Sequence, residues 1–171
     1  MEGRTEDFAR ILILGNSGSG KSWLSRELGE RLKIMATDLD EVHWEPGGFS
    51  VPGDKDAAKA TVRQIASQEI WIIEGVYGWL AQESLSRATA LIWLDMPLEQ
   101  CLDDLRRRGP SPGGDEKSFA ALLSWAAAYQ ERQTSSSLMG HGRLFTAFRG
   151  WKRRMCSRQE TREFLAGIKR A

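Results

Sequence analysis

The strongest constraint on the fold of this chain is a glycine-rich stretch set between two dissimilar patterns. Ile11-Leu12-Ile13-Leu14 is a short, continuously apolar and partly β-branched run, which is how a strand buried on both faces reads. Gly15-Asn16-Ser17-Gly18-Ser19-Gly20-Lys21-Ser22 follows at once. Beyond it Leu24, Leu28 and Leu32 recur every four residues among Glu and Arg, predicting an amphipathic helix that closes near Lys33. Strand, glycine turn and helix in that order open a parallel α/β unit.

The turn satisfies G-x-x-x-x-G-K-[ST], and each part answers a physical need of a bound polyphosphate. Glycines let backbone N–H groups converge on an anion without Cβ clashes, and the helix N-terminus adds its partial positive charge. Lys21 is placed to reach the β and γ phosphates, and the Ser22 hydroxyl to take Mg²⁺. Gly15, Asn16, Ser17, Gly18, Ser19, Gly20, Lys21 and Ser22 are therefore the predicted triphosphate site. A chance match in a flexible turn is the plainer alternative, and the strand and helix on either side argue against it.

The rest of the chain repeats the alternation. Ile34 to Thr37 is a weaker strand leading into Asp38-Leu39-Asp40, and Asp54 to Gln68 has helical spacing through Ala58, Val62, Ile65 and Ala66. Trp71-Ile72-Ile73 and Ala90 to Leu94 are two more apolar strands, the first ending in Glu74-Gly75 and the second in Asp95, with Pro97 opening a helix. That helix stops at Gly109, before the loop-like Gly109-Pro110-Ser111-Pro112-Gly113-Gly114, and another resumes through Phe119, Leu122, Leu123 and Ala126. A helix is predicted over Ser136 to Arg149, a short strand around Arg153 to Cys156, and a last helix after Ser157, whose Ser-x-x-Glu spacing is a capping box. Strands separated by helices of ten or more residues imply crossovers, hence a parallel sheet covered on both faces. Ligands on such sheets sit outside the carboxyl ends of the strands, the edge where Gly15, Asp38, Asp40, Glu74 and Asp95 all fall.

The chain has 171 residues, enough for one domain and too few to expect two. Its polar, acid-bearing start and lack of a long apolar run predict a soluble cytoplasmic protein with no membrane partner. Cys101 and Cys156 form no metal-ligand spacing and read as buried reduced thiols. The formal net charge of +1 conceals an asymmetry: residues 1–100 carry 10 basic and 16 acidic side chains, residues 101–171 carry 14 and 7. Arginine dominates the basic half, and its planar fork suits bidentate phosphate contacts.

Beyond the loop, several side chains are candidates for chemistry. Asp38 and Asp40 would share one side if extension continued through Leu39. One would then serve Mg²⁺ and the other orient or deprotonate an acceptor hydroxyl. A solvated acidic turn, or Asp40 capping a short helix, is the alternative. Glu74 stands at a strand end beside the loop, where it would hold the metal's water shell or contact the acceptor, unless it is only an exposed strand end. Asp95, two residues before Pro97, reads as a helix cap and is left outside the site. Arg106, Arg107 and Arg108 precede the Gly/Pro loop and Arg132 follows the returning helix. A closing lid would bring Arg106 and Arg132 to the transferred phosphoryl, although a solvated charge run is the simpler reading of the triplet. Trp44 to Phe49 would wall an acceptor pocket or pack as hinge residues. His43 and His141 have no partner pattern, and Trp23 is expected to pack back under its helix.

Together "GNSGSGKS", "DLDEVHWEPGGF", "WIIEGVYGWL", "ALIWLDMPLEQCLDDLRRRG" and "KRRMCSRQETREFL" resemble the small P-loop kinases of the adenylate kinase and shikimate kinase group. The resemblance is closest to the bacterial adenylate kinase-like, or topology-modulation (FlaR-like), proteins, and it spans nearly the whole chain. It implies a P-loop three-layer sandwich, a five-stranded parallel sheet in the order 2-3-1-4-5, an ATP site on the loop and a helical lid, here at about 106–134. It also implies that Asp38 and Asp40 match the Asp-x-Asp of the shikimate kinase type. Adenylate kinases follow their third strand with Asp-Gly-Phe-Pro-Arg. Here the residues are Glu74-Gly75-Val76-Tyr77-Gly78, with no arginine for the AMP phosphate, which speaks against AMP as acceptor.

The sequence therefore predicts an Mg²⁺-dependent ATP phosphotransferase with a small-molecule acceptor. Lys21, Asp40, Arg106 and Arg132 would act on the reacting groups, and Ser22, Asp38 and Glu74 on the metal. Two other classes stay open: a nucleotide-dependent regulatory module, and a protein that binds or modifies nucleic-acid ends through its basic half.

Overall fold

The computed structural model describes residues 8–45, 51–111 and 114–169. Five parallel strands form one sheet: β1 (Arg10–Gly15), β2 (Ala36–Asp38), β3 (Trp71–Gly75), β4 (Ala90–Leu94) and β5 (Trp151–Met155), side by side in the order β2-β3-β1-β4-β5. Between and beyond them run α1 (Lys21–Leu32), α2 (Leu39–His43), α3 (Lys55–Ala66), α4 (Gly78–Leu85), α5 (Leu98–Arg108), α6 (Glu116–Ala127), α7 (Leu138–Ala147) and α8 (Arg158–Gly167). The α/β class, the strand order and the all-parallel sense are as the sequence and its resemblance predict.

Strand periodicity sorts the core. On β1, Ile11 and Ile13 face a layer built with Leu24 and Leu28 of α1 and Phe164 and Leu165 of α8. Leu12 and Leu14 face the opposite layer, with Val62 of α3, Leu80 of α4 and Leu144 of α7. Burying each such side chain contributes roughly 1.5–3 kcal/mol, so covering both faces is what makes an unbroken apolar run the stable choice for β1 and β4. A third, smaller cluster joins Leu102 and Leu105 of α5 to Ala126 of α6, so these two helices pack as a hairpin beside the sheet.

Both sheet edges are protected. β2 has only three residues, and β5 carries Lys152, Arg153 and Arg154 in a row. These cations are used locally. Lys152 donates to the carbonyls of Phe145 (2.7 Å) and Phe148 (2.8 Å) at the end of α7. Arg153 lies over Phe164, while Arg154 lies over Trp93 and donates through Nε to Asp95 at 2.9 Å.

Several boundaries differ from expectation. The last strand is Trp151–Met155 rather than Arg153–Cys156, because Met155 is the residue that fills the core. Cys156 then falls outside the sheet and is exposed, whereas Cys101 is buried as expected, its thiol pushed up to about 11 by burial. Trp23 is 37% exposed and does not pack under α1. Helix α4 was not foreseen, since residues 78–85 carry no start signal stronger than Gly78. Leu39 begins α2, so the chain does not stay extended between Asp38 and Asp40.

His141 has partners that its sequence surroundings did not indicate. It is fully buried on α7, with Nδ1 2.7 Å from the Tyr129 hydroxyl and Nε2 2.8 Å from the Val76 carbonyl. A carbonyl only accepts, so Nε2 carries the proton and Nδ1 accepts from Tyr129, whose oxygen receives the Trp93 indole N–H at 3.3 Å. This chain ties β4, the 3-10 turn Ala128–Gln130 after α6, α7 and the segment after β3. Burial lowers the His141 pKa to about 4, against 6.5 for an ordinary histidine. Between those values the unfolded chain is protonated at this ring and the folded protein is not, so stability falls as pH drops from 6.5 towards 4. The loss reaches about 3 kcal/mol at about 1.4 kcal/mol per unit. Urea denaturation across this range should show a shallower acid decline for His141→Gln than for the wild type.

Candidate active site

Sheet register brings the predicted residues to one edge. Asp38 at the end of β2 pairs with Glu74 of β3, Glu74 pairs with Ile13 of β1, and Gly15 ends β1 opposite Leu94 of β4. The loop Gly15–Ser22 therefore opens next to Glu74, with Asp38 one strand further away.

The loop is shaped as an anion cradle. Gly18 has φ 78° and lies so close to the carbonyl of Cys101 on α5 that a Cβ there has no room. Gly20, φ 90°, is the N-cap of α1, and no side chain caps that helix, whereas α3, α6, α7 and α8 are closed by Asp54, Asp115, Ser137 and Ser157. The first N–H groups of α1 are thus left for a ligand. Lys21 is buried, its Nζ 3.0 Å from the Asn16 carbonyl. Ser19 Oγ is buried without a hydrogen-bond partner among the described residues, an orphaned hydroxyl that fits a site built to hold a polar group. Asn16 donates from Nδ2 to the Ala126 carbonyl of α6 at 2.9 Å while its Oδ1 accepts the Ser17 N–H at 2.8 Å, so the loop is fastened to the α5–α6 hairpin.

Glu74 is buried and lies near Ser22 and Lys21. Burial raises its pKa, which Lys21 and Ser22 oppose. It is not an exposed strand end. Asp38 accepts the Asp40 N–H at 2.8 Å, so it is Asp38 that caps α2 rather than Asp40. Burial, then Glu74 and Asp40, push the Asp38 carboxyl up to about 7. The two aspartates are neighbours because a helix starts between them, and the pleating argument for their shared side does not apply. Gly75 makes room for Leu39, whose Cβ lies 2.6 Å from where a Cβ of residue 75 would stand.

Asp40 has aromatic neighbours. The Tyr77 hydroxyl lies close to Asp40 and to Trp44. His43 packs edge-to-face with Trp44 and Trp79 and tilted against Tyr77, and Tyr77 lies tilted to Trp125 of α6 at 6.3 Å between ring centroids. Burial holds the His43 imidazole below its ordinary range. Of the predicted aromatic wall Trp44 to Phe49, Trp44 is placed here, while residues 46–50 lie outside the described residues.

The arginines expected of a lid stand apart from this cluster. Arg106 pairs with Asp103 at 2.9 Å on an exposed face of α5, and Arg107 pairs with Asp104 at 3.0 Å. Arg132 stacks on Trp125 at 3.8 Å and donates to the carbonyls of Trp125 and Ser136 (2.6 Å for the latter), so its fork braces the end of the hairpin. Asp95 does not cap α5, whose N-cap is Pro97, but binds Arg154. One arginine that the sequence did not single out does reach the loop. Arg158, the first residue of α8, donates to the carbonyls of Ser19 and Gly18 and to Asp104. Its signal was hidden, because a capping box explains Ser157-Arg158-Gln159-Glu160 completely at the level of sequence.

Among the described residues no group of three or more His, Cys, Asp or Glu side chains gathers to hold a metal by itself. Mg²⁺ keeps waters and phosphate oxygens and needs only one or two protein oxygens, so the Ser22, Glu74 and Asp38 set is a chemically fitting donor group.

A protein-family model described as an AAA domain (AAA_18) matches residues 11–122, the span from β1 into α6. The chain belongs to this family. No curated protein sequence matches it. Among solved structures, this AAA-domain protein is similar to a shikimate kinase from Bacteroides thetaiotaomicron, with a TM-score of 0.60 and 16% identity over 92% of this chain and 94% of that one. A gluconokinase from Sinorhizobium meliloti 1021 aligns with a TM-score of 0.56 and 18% identity over 94% and 92%. A sugar kinase from Janibacter sp. HTCC2649 aligns with 0.52 and 13% over 91% and 89%. At these identities the likeness is one of fold, the P-loop kinase-like α/β sandwich, and it does not single out the adenylate kinase-like (FlaR-like) group. No helix among the described residues is long and apolar enough to cross a membrane.

Gly18→Ala should place a methyl against the Cys101 carbonyl at a left-handed φ. We expect a loss of about 1–3 kcal/mol of stability in thermal melting and loss of nucleotide binding by calorimetry.

Proposed function

We propose that this protein is an Mg²⁺-dependent ATP phosphotransferase acting on a small hydroxyl- or phosphate-bearing acceptor. The observation that carries the reading is the buried Glu74 carboxyl next to Ser22 and Lys21, with Asp38 and Asp40 in electrostatic contact at the same sheet edge. A glycine cradle alone means that an anion is held. A cradle with carboxylates on its open side has the groups needed to hold a metal and to take a proton from an acceptor. The similarity in fold to sugar, gluconate and shikimate kinases supports phosphoryl transfer as the reaction class.

Lys21 would clamp the β and γ phosphates and the loop N–H groups would bind the rest of the chain of phosphates. Ser22 would ligate Mg²⁺, with Glu74 and Asp38 receiving its waters. The metal supplies charge neutralisation on the transferred group. Asp40, close to Tyr77, is positioned to orient or deprotonate the acceptor hydroxyl, with His43 and Trp125 beside it. Arg132 and Arg106 would have to leave their present carbonyl and carboxylate partners to serve the transferred phosphoryl.

Coupled ADP release, scanned over sugars, nucleosides, nucleotides and small hydroxy acids, tests this. Lys21→Ala should lower acceptor-stimulated release by at least about a hundredfold. Asp40→Asn should remove acceptor stimulation, by about a hundredfold or more, while retaining nucleotide binding. EDTA should abolish release, and Mg²⁺ restore it. ATP binding with no stimulation by any acceptor would instead favour a nucleotide-dependent regulatory protein.

A further inference from the structure

A loop that aims its N–H groups at an anion must turn its carbonyls away and find partners for them. In this loop the carbonyl of Asn16 accepts the Ser19 N–H at 3.2 Å and the Lys21 ammonium at 3.0 Å, and the carbonyl of Gly20 accepts the Leu24 N–H at 3.0 Å. The carbonyls of Gly18 and Ser19 obtain theirs from outside. Arg158, some 140 residues away in sequence, donates Nη2 to Gly18 O at 3.0 Å and Nη1 to Ser19 O. The same guanidinium binds Asp104 on α5, and a Cβ on Gly20 would collide with Nη1. Both partners are largely shielded, with side-chain exposures of 23% for Arg158 and 27% for Asp104.

We propose that Arg158 is a positioning residue for the nucleotide site: together with Asp104 it holds the Gly18 and Ser19 carbonyls outward, and so keeps the loop N–H groups facing the phosphates. A carbonyl that rotated inward would present its negative end to the anion. The geometry needs a planar fork that reaches two carbonyls and a carboxylate at once, which lysine, a single point of charge, reproduces only in part. Arg158 touches neither acceptor nor metal ligands among the described contacts, so its effect passes through the loop.

The inference rests only on the nucleotide-binding part of the proposed function, and the test reads that part directly. Calorimetric titration with ADP and Mg²⁺ should give a Kd weakened roughly tenfold or more in Arg158→Met, since charge-assisted bonds to the loop are lost. A smaller weakening is expected in Arg158→Lys, and a severalfold one in Asp104→Asn. Thermal melting without nucleotide runs alongside. Arg158→Met that melts lower yet binds ADP as the wild type does would show a clip with no bearing on the site, and would overturn the proposal. Should Arg158→Met fail to fold, Arg158→Lys and Asp104→Asn decide, and wild-type affinity in both overturns it. A wild-type protein that binds ADP but transfers no phosphate would defeat the kinase reading and leave this one standing.

Discussion

A phosphate loop is a backbone in tension, because its amides can converge on an anion only while every carbonyl is occupied elsewhere. In this protein that requirement reaches across the fold. Leu24 and Lys21 satisfy part of it from within α1, but Gly18 and Ser19 depend on Arg158 from the far edge of the sheet. Asn16 anchors the loop to Ala126 on α6, and Gly18 presses on Cys101 of α5. Both arms of the α5–α6 hairpin are therefore in contact with the cradle.

On the other side of the cradle the controlling interaction is electrostatic. Burial, with Glu74 and Asp40 nearby, raises the cost of ionising Asp38; burial, with Asp40 nearby, raises that of Glu74; and Lys21 lowers both. Such a cluster is tolerable because it lies at the open ends of the strands, where a cation can offset it. Aromatic side chains rather than basic ones complete this side: the Tyr77 hydroxyl lies close to Asp40 and to Trp44, and His43 and Trp125 stand beside them. The excess positive charge of the second half, which invited a nucleic-acid reading, is in good part consumed inside the molecule by Arg132, Lys152, Arg154 and Arg158.

How much was legible beforehand depended on the range of the signal. The loop and its flanking elements were read residue by residue, since their pattern is local and each position has a steric or hydrogen-bonding reason. Asp38, Asp40 and Glu74 are legible as acids at the strand ends, but strand pleating does not pair the two aspartates, because a helix start at Leu39 is as compatible with the residues as continued extension. Arg132 and Arg106 read as charges near a loop; the partner of Arg106 is Asp103, one turn back on α5, and the two carbonyls that hold Arg132 come within its reach only where the chain turns after α6.

The sequence alone determined the parallel α/β class, the cradle and the set of acids at one sheet edge, because hydrophobic period, glycine placement and chain order act over a few residues. Only the tertiary structure decided which polar groups meet. Arg158 with the loop carbonyls, Asn16 with Ala126, and Tyr129 with His141 are pairs separated by 12 to 140 residues. Nothing in the local pattern of either partner distinguishes such a side chain from a cap, a solvated charge or a lone histidine. Burial removes water as the competing partner, and only packing determines which group takes its place.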